Sequence, residues 1–361
     1  MDDMKRLMGS SAVIFFLLAL VVSTGCEKKD GSVAGDDRIP DWKMSSTYAT
    51  SLPILGNSAV YFVEQVNQLS NGILKIELSE PDQLVPALEV LQATGEGRID
   101  AAWSSSGFWI DKLPAAAFFS SVPFGPDTTE YLAWLYQGEG LALWRELYAS
   151  QNVLPIPCAV VPPEAAGWFR QPITSLEQFR GMKIRFGGIG GLVMQKLGAN
   201  VQNLSGGDVF TALERGLVDA AEFSLPSIDQ KLEFHRITRH YYFPGWHQQA
   251  SLLELIINKD RWAALPQSTQ ALIELTCRAN ITRTLAEGEH SQQAAIAQLS
   301  GTPVQIHYWP DEMLNGFRDA YAEVVKELSA SDKNFRRVEQ SFSNYRKAYR
   351  EWARLSRLPG K

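Results

Sequence analysis

Two stretches of the chain read alike: Leu88–Ser104, LEVLQATGEGRIDAAWS, and Leu213–Ser224, LERGLVDAAEFS. In each, a helical run ends at a glycine turn, and Ile or Val followed by Asp-Ala-Ala leads into a strand. A helix feeding a strand through so short a turn is α/β architecture. The wide separation of the copies excludes a solenoid repeat. It predicts two lobes of similar α/β design, although helix-to-strand turns of this kind also arise by chance.

Outward from these stretches the same alternation continues. Trp42–Tyr48, Ile73–Leu78, Ile99–Trp103, Met182–Phe186, Val218–Phe223 and Leu252–Asn258 read as strands. Ser58–Leu69, Gln83–Thr94, Thr128–Ala149 and Gly207–Arg215 read as helices, the last behind a Ser205-x-x-Asp208 capping signal. Gln267–Ser300 carries no Pro and one Gly, Gly288, so at about 1.5 Å per residue it predicts a helix of roughly 50 Å that spans both lobes. The 361 residues, 45% hydrophobic and 20% charged, provide for two domains with a sizeable core. A net charge of −6 without a basic run argues against a nucleic-acid partner, since phosphate binding needs concentrated positive charge. Ten Trp, 11 Tyr and 17 Phe are more aromatic surface than a core of this size needs.

At the N-terminus, Lys5 and Arg6 precede the apolar run Ala12–Val22 and then Ser23-Thr24-Gly25-Cys26. This is a secretory signal, shorter than the roughly 20 apolar residues of a membrane-spanning helix. Thr-Gly-Cys suits lipoprotein processing, which makes 1–25 the signal peptide, Cys26 the lipidated residue and 26–40 a flexible tether. Ordinary cleavage is the alternative, because Ser23 stands where such signals usually carry Leu. Cys158 and Cys277 are too few for a disulfide framework and form no CxxC, so both read as small buried hydrophobes.

Enzyme signatures are missing: the chain has no GxSxG, HExxH, P-loop or EF-hand pattern. Gly187-Gly188-Ile189-Gly190-Gly191 follows a strand and opens a helix, but Val193 stands where a dinucleotide fingerprint needs Gly or Ala. The loop reads as a ligand-adjacent turn or a close-packing one. His235, His240 and His247 lack the spacing of four that puts two ligands on one helix face, and read as surface or structural residues.

Pro172–Phe186, PITSLEQFRGMKIRF, and Val218–Asp229, VDAAEFSLPSID, resemble the solute-binding proteins of tripartite ATP-independent periplasmic (TRAP) transporters. VPALEVLQATGEGRIDAAW, SSVPFGPDTTEYLAWLYQGEG, AAGWFRQPI and YYFPGWHQQ resemble the branch that binds 2-oxoacids and similar monocarboxylates with a cation. The resemblance implies a two-lobed periplasmic-binding-protein (Venus-flytrap) fold with mixed sheets and a long bridging helix. Lobe I would comprise 41–160 and about 247–275, lobe II 161–246 and about 285–310, with 267–300 the bridging helix and 311–361 C-terminal helices. It also implies a receptor that closes on its ligand and is read by a membrane permease. Relatives exchange a C-terminal helix, so a homodimer through Phe335–Leu358 is implied, the alternative being a tail packed on its own lobe.

On this resemblance Arg185 forks onto the ligand carboxylate, a bidentate geometry that Lys lacks; a structural salt bridge is the alternative. The cation ligands carry over to Glu222, the backbone carbonyl of Phe223 and Glu164. Phe223 replaces the branch's usual Trp, and Glu164 its usual Gln. Glu164, Glu222 and the ligand would place three negative charges against Arg185, which calls for more positive charge or a raised pKa. A hard divalent ion answers this, so Ca²⁺ is expected, with Na⁺ or no metal as alternatives. Without a metal, Glu164 would pair with Arg170, itself otherwise a surface or hinge residue. Trp103, Phe108, Trp109, Phe223 and Trp246 are candidate aromatic walls, or core. Two other functions use the same residues: an envelope enzyme with Glu164 and Glu222 as a glycosidase-like acid/base pair, and a sensor subunit that shows its loaded form to a receptor.

Overall fold

Ser251–Asn258, SLLELIIN, is apolar but for Glu254 and the polar ends, and all eight residues are buried. Such a run belongs in a sheet covered on both faces. The computed structural model of the protein describes residues 39–357, so the signal segment, Cys26 and most of the tether lie outside the described residues. In chain order the strands are β1 Trp42–Ser46, β2 Ile76–Ser79, β3 Ala101–Ser104, β4 Val153–Val161, β5 Gly167–Phe169 and β6 Lys183–Arg185. They continue with β7 Asn200–Gln202, β8 Ala220–Ala221, β9 His240–Phe243, β10 Ser251–Asn258 and β11 Gln305–Tyr308. One sheet has the order β2-β1-β3-β10-β4, the other β11-β9-β5-β8-β6-β7. Both are mixed: β1 runs parallel to β2 and β3 while β10 is antiparallel to β3 and β4, and β6 runs parallel to β7 and β8 while β5 is antiparallel to β8 and β9.

The two Asp-Ala-Ala stretches are a true structural repeat. Gly97 and Gly216 sit at φ 72° and 69°, a turn that side chains other than glycine adopt at a cost. The following Asp then clasps the neighbouring parallel strand. Asp100 N donates to Lys43 O (3.0 Å) while Lys43 N donates to Asp100 Oδ2 (2.8 Å). Asp219 does the same with Lys183, at 2.7 and 3.0 Å. A short acid at this point satisfies an edge amide just where each strand begins.

Helix Gln267–Ser300 packs on β4 and helix Asn57–Leu69 at one end and on helix Pro226–Lys231 at the other, so it bridges the lobes. Asn280 Nδ2 donates to Ser58 O (3.0 Å), and Gln292 Nε2 to Ser227 Oγ (3.1 Å). The two cysteines differ from their sequence reading. Cys158 on β4 and Cys277 on the bridging helix form a disulfide across 119 residues of chain. They are buried, as expected, but the packing of helix on strand brings them together.

Local boundaries also shift. Thr128–Ala149 divides into helices Thr128–Gln137 and Gly140–Ala149 because Gly138 is extended. Ser205 Oγ bonds to the Asp208 carboxylate at 2.6 Å rather than capping the helix backbone. In the C-terminal region, helix Asp311–Ser331 stacks Phe317 on Trp246 at 4.6 Å. Helix Lys333–Ser356 sets Phe335 and Phe342 on Phe118 at 4.9 and 5.4 Å, so the tail covers its own chain.

Glu254, fully buried in β10, accepts from Trp109 Nε1 (2.8 Å) and Tyr148 OH (3.2 Å) through Oε1, while Oε2 has no partner. Burial pushes its pKa from near 4.5 up to about 8, against the two hydrogen bonds. The native state therefore keeps a proton that the unfolded chain releases, and the stability associated with it declines as pH rises from about 4.5 to about 8. Glu254→Gln removes this decline. Urea denaturation at pH 5 and pH 8 should show the variant gaining on wild type by a few kcal/mol over that interval; a pH-independent difference would contradict the assignment.

Candidate functional site

Parallel strands gather their carboxyl ends, and ligands of open α/β sheets bind there. β6 ends at Arg185 and β8 is followed directly by Glu222, with Arg185 opposite Ala221 in the register. Glu222 N donates to Arg185 O at 3.0 Å, which fixes the two residues side by side. Arg185 Nη1 donates to Glu222 O (2.6 Å) and to Glu222 Oε2 (2.8 Å), and Nε to Leu204 O (3.5 Å). Nη2 donates to no protein atom among the described residues, so part of the fork stays available. The Phe223 ring lies under the guanidinium at 5.2 Å.

Glu164 arrives from the segment between β4 and β5. Gly245 holds it: its N donates to Glu164 O at 2.8 Å, and a Cβ at position 245 would stand 2.4 Å from that oxygen. Two residues on, His247 Nε2 lies 2.9 Å from Glu164 Oε1 and 3.4 Å from Glu222 Oε1. Glu164, Glu222 and His247 each offer a donor atom within 4.8 Å of the others, and all three are buried. Arg170 is elsewhere, donating to Leu213 O, so the expected alternative pairing with Glu164 is replaced by His247.

The electrostatics follow from burial. Burial raises the Glu222 carboxyl, but the Arg185 charge and the hydrogen bonds from His247 and the Gly187 amide outweigh it and hold it low. Burial raises Glu164, with the Glu222 charge adding and the His247 bond opposing. For His247 burial favours the neutral ring, but hydrogen bonds to both carboxylates override it and raise its pKa. Glu164 Oε2 and His247 Nδ1 are buried without a hydrogen-bond partner. An open carboxylate oxygen in the interior costs free energy unless something occupies it.

The cluster opens onto a cleft of about 590 Å³, its open mouth included. One wall carries Tyr48, Phe108, Ser105, Ser120, Ser121 and Ser251; the other carries Arg185, Gly187, Gly188, Glu222 and Phe223, with His247 and Gln248 between. The Gly187 amide at the start of helix Gly188–Lys196 donates to Glu222 Oε2 (3.3 Å), so this helix start serves a protein carboxylate while the loop lines the cleft. Of the aromatic candidates, Phe223 and Phe108 line the cleft. Trp103 does not: it is fully buried on β3, donating to Leu55 O (2.9 Å) and packing on Phe62. Trp246 likewise leaves the wall for the core, stacked among Phe186, Phe124 and Phe317. Trp109 is spent on Glu254. The sequence reading set His247 aside as a surface or structural residue because its spacing from the other histidines is not four, and the serines and Tyr48 escaped it altogether.

Two mixed sheets, a bridging helix and a buried Arg at the strand ends define the class of two-lobed binding proteins. Residues 45–332 match the family described as bacterial extracellular solute-binding protein, family 7 (DctP). The chain is 33% identical, over 98% of its length and 96% of the relative's, to the monocarboxylate 2-oxoacid-binding periplasmic protein of Nostoc sp.. It is similar to a TRAP solute-binding protein from Bordetella bronchiseptica with copurified calcium and picolinate (TM-score 0.86, 30% identity, 88% of this chain and 95% of that one). A TRAP solute-binding protein from Pseudoalteromonas atlantica with bound sodium and pyruvate gives a TM-score of 0.84 at 29% identity, over 88% and 96%. The chain belongs to the DctP family of TRAP solute-binding proteins.

Breaking the Arg185–Glu222 pair costs more than the pair itself contributes, because it leaves one buried charge alone. Glu222→Gln keeps the shape but leaves Arg185 a buried cation without its counter-charge. Urea denaturation of the ligand-free protein should show a loss of roughly 3 kcal/mol, and a loss below about 1 kcal/mol, the value of an exposed pair, would contradict it.

Proposed function

We propose that the protein captures a small monocarboxylate, a 2-oxoacid or 2-hydroxy acid, together with a cation, and delivers it to a TRAP membrane permease. One observation carries this reading: the free edge of the Arg185 guanidinium and the unpartnered Glu164 Oε2 belong to one buried cluster beside the cleft. Arg185 receives the ligand carboxylate through Nη2. Glu164, Glu222 and the Phe223 carbonyl are the protein oxygens for the cation, which when bound offsets the negative charge that the ligand adds. The relatives that hold calcium with picolinate and sodium with pyruvate support the pairing of ion and acid. A divalent ion is our reading, because Glu164 offers a carboxylate oxygen where the resembled branch offers a neutral amide.

The two walls come from different sheets, so closing the lobes expels water and strengthens the Arg185 contact. Phe223 and Phe108 then face the ligand's apolar part and the serines its polar edge. Receptors of this family act outside the cytoplasmic membrane, and no helix among the described residues is long and apolar enough to cross one. A lipid on Cys26 would keep the receptor near its permease. Trp352 and Leu355, 61% and 71% exposed on the last helix, offer a contact for a homodimer.

Calorimetric titration of pyruvate into chelator-treated protein, before and after adding back a divalent cation, tests the function. Binding should require the cation, and Arg185→Lys should weaken it by roughly 100-fold while circular dichroism stays unchanged. Undiminished binding by Arg185→Lys would overturn the role of Arg185. Native mass spectrometry of the membrane-extracted protein should show a lipid on Cys26, residues 1–25 removed and a dimer; an unmodified Cys26 or a monomer removes the corresponding element.

A further inference from the structure

The oxygens of Glu164 and Glu222 alone describe a site for a hard ion such as Ca²⁺, which takes six to eight oxygen ligands. The structure adds a nitrogen. His247 Nε2 stands 2.9 Å from Glu164 Oε1 and 3.4 Å from Glu222 Oε1, inside the same donor cluster. We infer that His247 joins Glu164 and Glu222 as a third side-chain ligand of the cation, and that its nitrogen turns the site toward a borderline divalent metal of the Mn²⁺–Zn²⁺ series rather than Ca²⁺ or Na⁺. The inference rests on the proposal that a cation and a 2-oxoacid bind together.

Three observations lead there. All three side chains are buried, at 3–4% exposure, so their donor atoms are screened from bulk water. Glu164 Oε2 has no partner within the protein, which leaves this carboxylate able to bind an ion with either oxygen. Gly245 grips the Glu164 carbonyl at 2.8 Å, tying the His247 segment to Glu164, so the nitrogen is held against the carboxylates by backbone geometry. An imidazole beside two carboxylates is a donor set for Mn²⁺, Fe²⁺ or Zn²⁺, whereas Ca²⁺ and Na⁺ prefer oxygen throughout. The ligand completes it: the carboxylate and 2-oxo oxygens of a 2-oxoacid chelate one metal in a five-membered ring.

The test uses the full chain, stripped with chelator, and measures the affinities of Zn²⁺, Mn²⁺, Ca²⁺ and Na⁺ by calorimetry and thermal shift, then of pyruvate with each ion present. His247→Gln and His247→Asn supply an oxygen in place of the nitrogen. Wild type should bind Zn²⁺ or Mn²⁺ at least about tenfold more tightly than Ca²⁺, and both variants should lose about tenfold or more for the transition metal while keeping Ca²⁺ affinity within about threefold. The His240–His307 pair, 2.9 Å apart near the surface, is a second place for Zn²⁺ to bind; the His247 variants leave it intact and so separate the two. Calcium binding wild type as tightly as Zn²⁺ and Mn²⁺, or transition-metal affinity indifferent to both variants, overturns the inference. If Ca²⁺ or Na⁺ then still supports pyruvate binding, the cation-dependent receptor stands; if pyruvate binds chelated protein equally well, the cation reading falls and this inference with it.

Discussion

Charges that leave water must be balanced where they lie. Arg185, Glu222, Glu164 and His247 are all buried, and within the protein alone they are only partly satisfied: Arg185 and Glu222 answer each other, while Glu164 keeps an open oxygen beside His247. An interior ion pair of this kind is weak evidence for stability, because desolvation consumes much of the Coulomb attraction. Its value here is placement. On the proposed function, a ligand anion entering beside Arg185 would disturb the balance unless a cation entered too, and one cluster would couple the two solutes.

The fold provides the placement. Each lobe ends parallel strands at the cleft, and the two Asp clasps, Asp100 on Lys43 and Asp219 on Lys183, define where the strands ending there begin. Glu164 and His247 both lie on connections between the two sheets, just past β4 and just before β10. Lobe closure and cluster geometry are therefore linked through the same chain segments. The bridging helix runs along both lobes, and the Cys158–Cys277 disulfide fastens it to β4.

Much of this was legible in the amino-acid sequence because it is written in local pattern. The Asp-Ala-Ala echo, the long helix and the Arg that ends the Gly-x-Lys-x-Arg strand depend on neighbours within a few residues. Arg185 and Glu222 were brought to one site by the family resemblance, and the structure shows why: they stand at two adjacent strand ends. What stayed hidden depends on contacts between distant segments. His247 lies 83 residues from Glu164, and no spacing rule anticipates their meeting. The disulfide was missed for the same reason. Trp103 and Trp246, candidates for cleft wall or core, belong to the core, because neither a place on a strand nor one in the connection between the sheets says whether a buried ring faces a core or a cleft. The aromatic excess is mostly core: Trp134, Trp144 and Phe119 stack inside one lobe, while among the described residues Tyr48, Phe108 and Phe223 reach the cleft.

The most direct measurement is a crystal structure of the protein grown with pyruvate and a divalent transition metal, with anomalous data collected at the metal edge. It should show one buried metal bonded to Glu164, Glu222 and His247, with the pyruvate carboxylate on Arg185 and also within reach of the metal. Pyruvate seated in the cleft without an ion, or with its carboxylate away from Arg185, would contradict the coupling of anion and cation at this cluster.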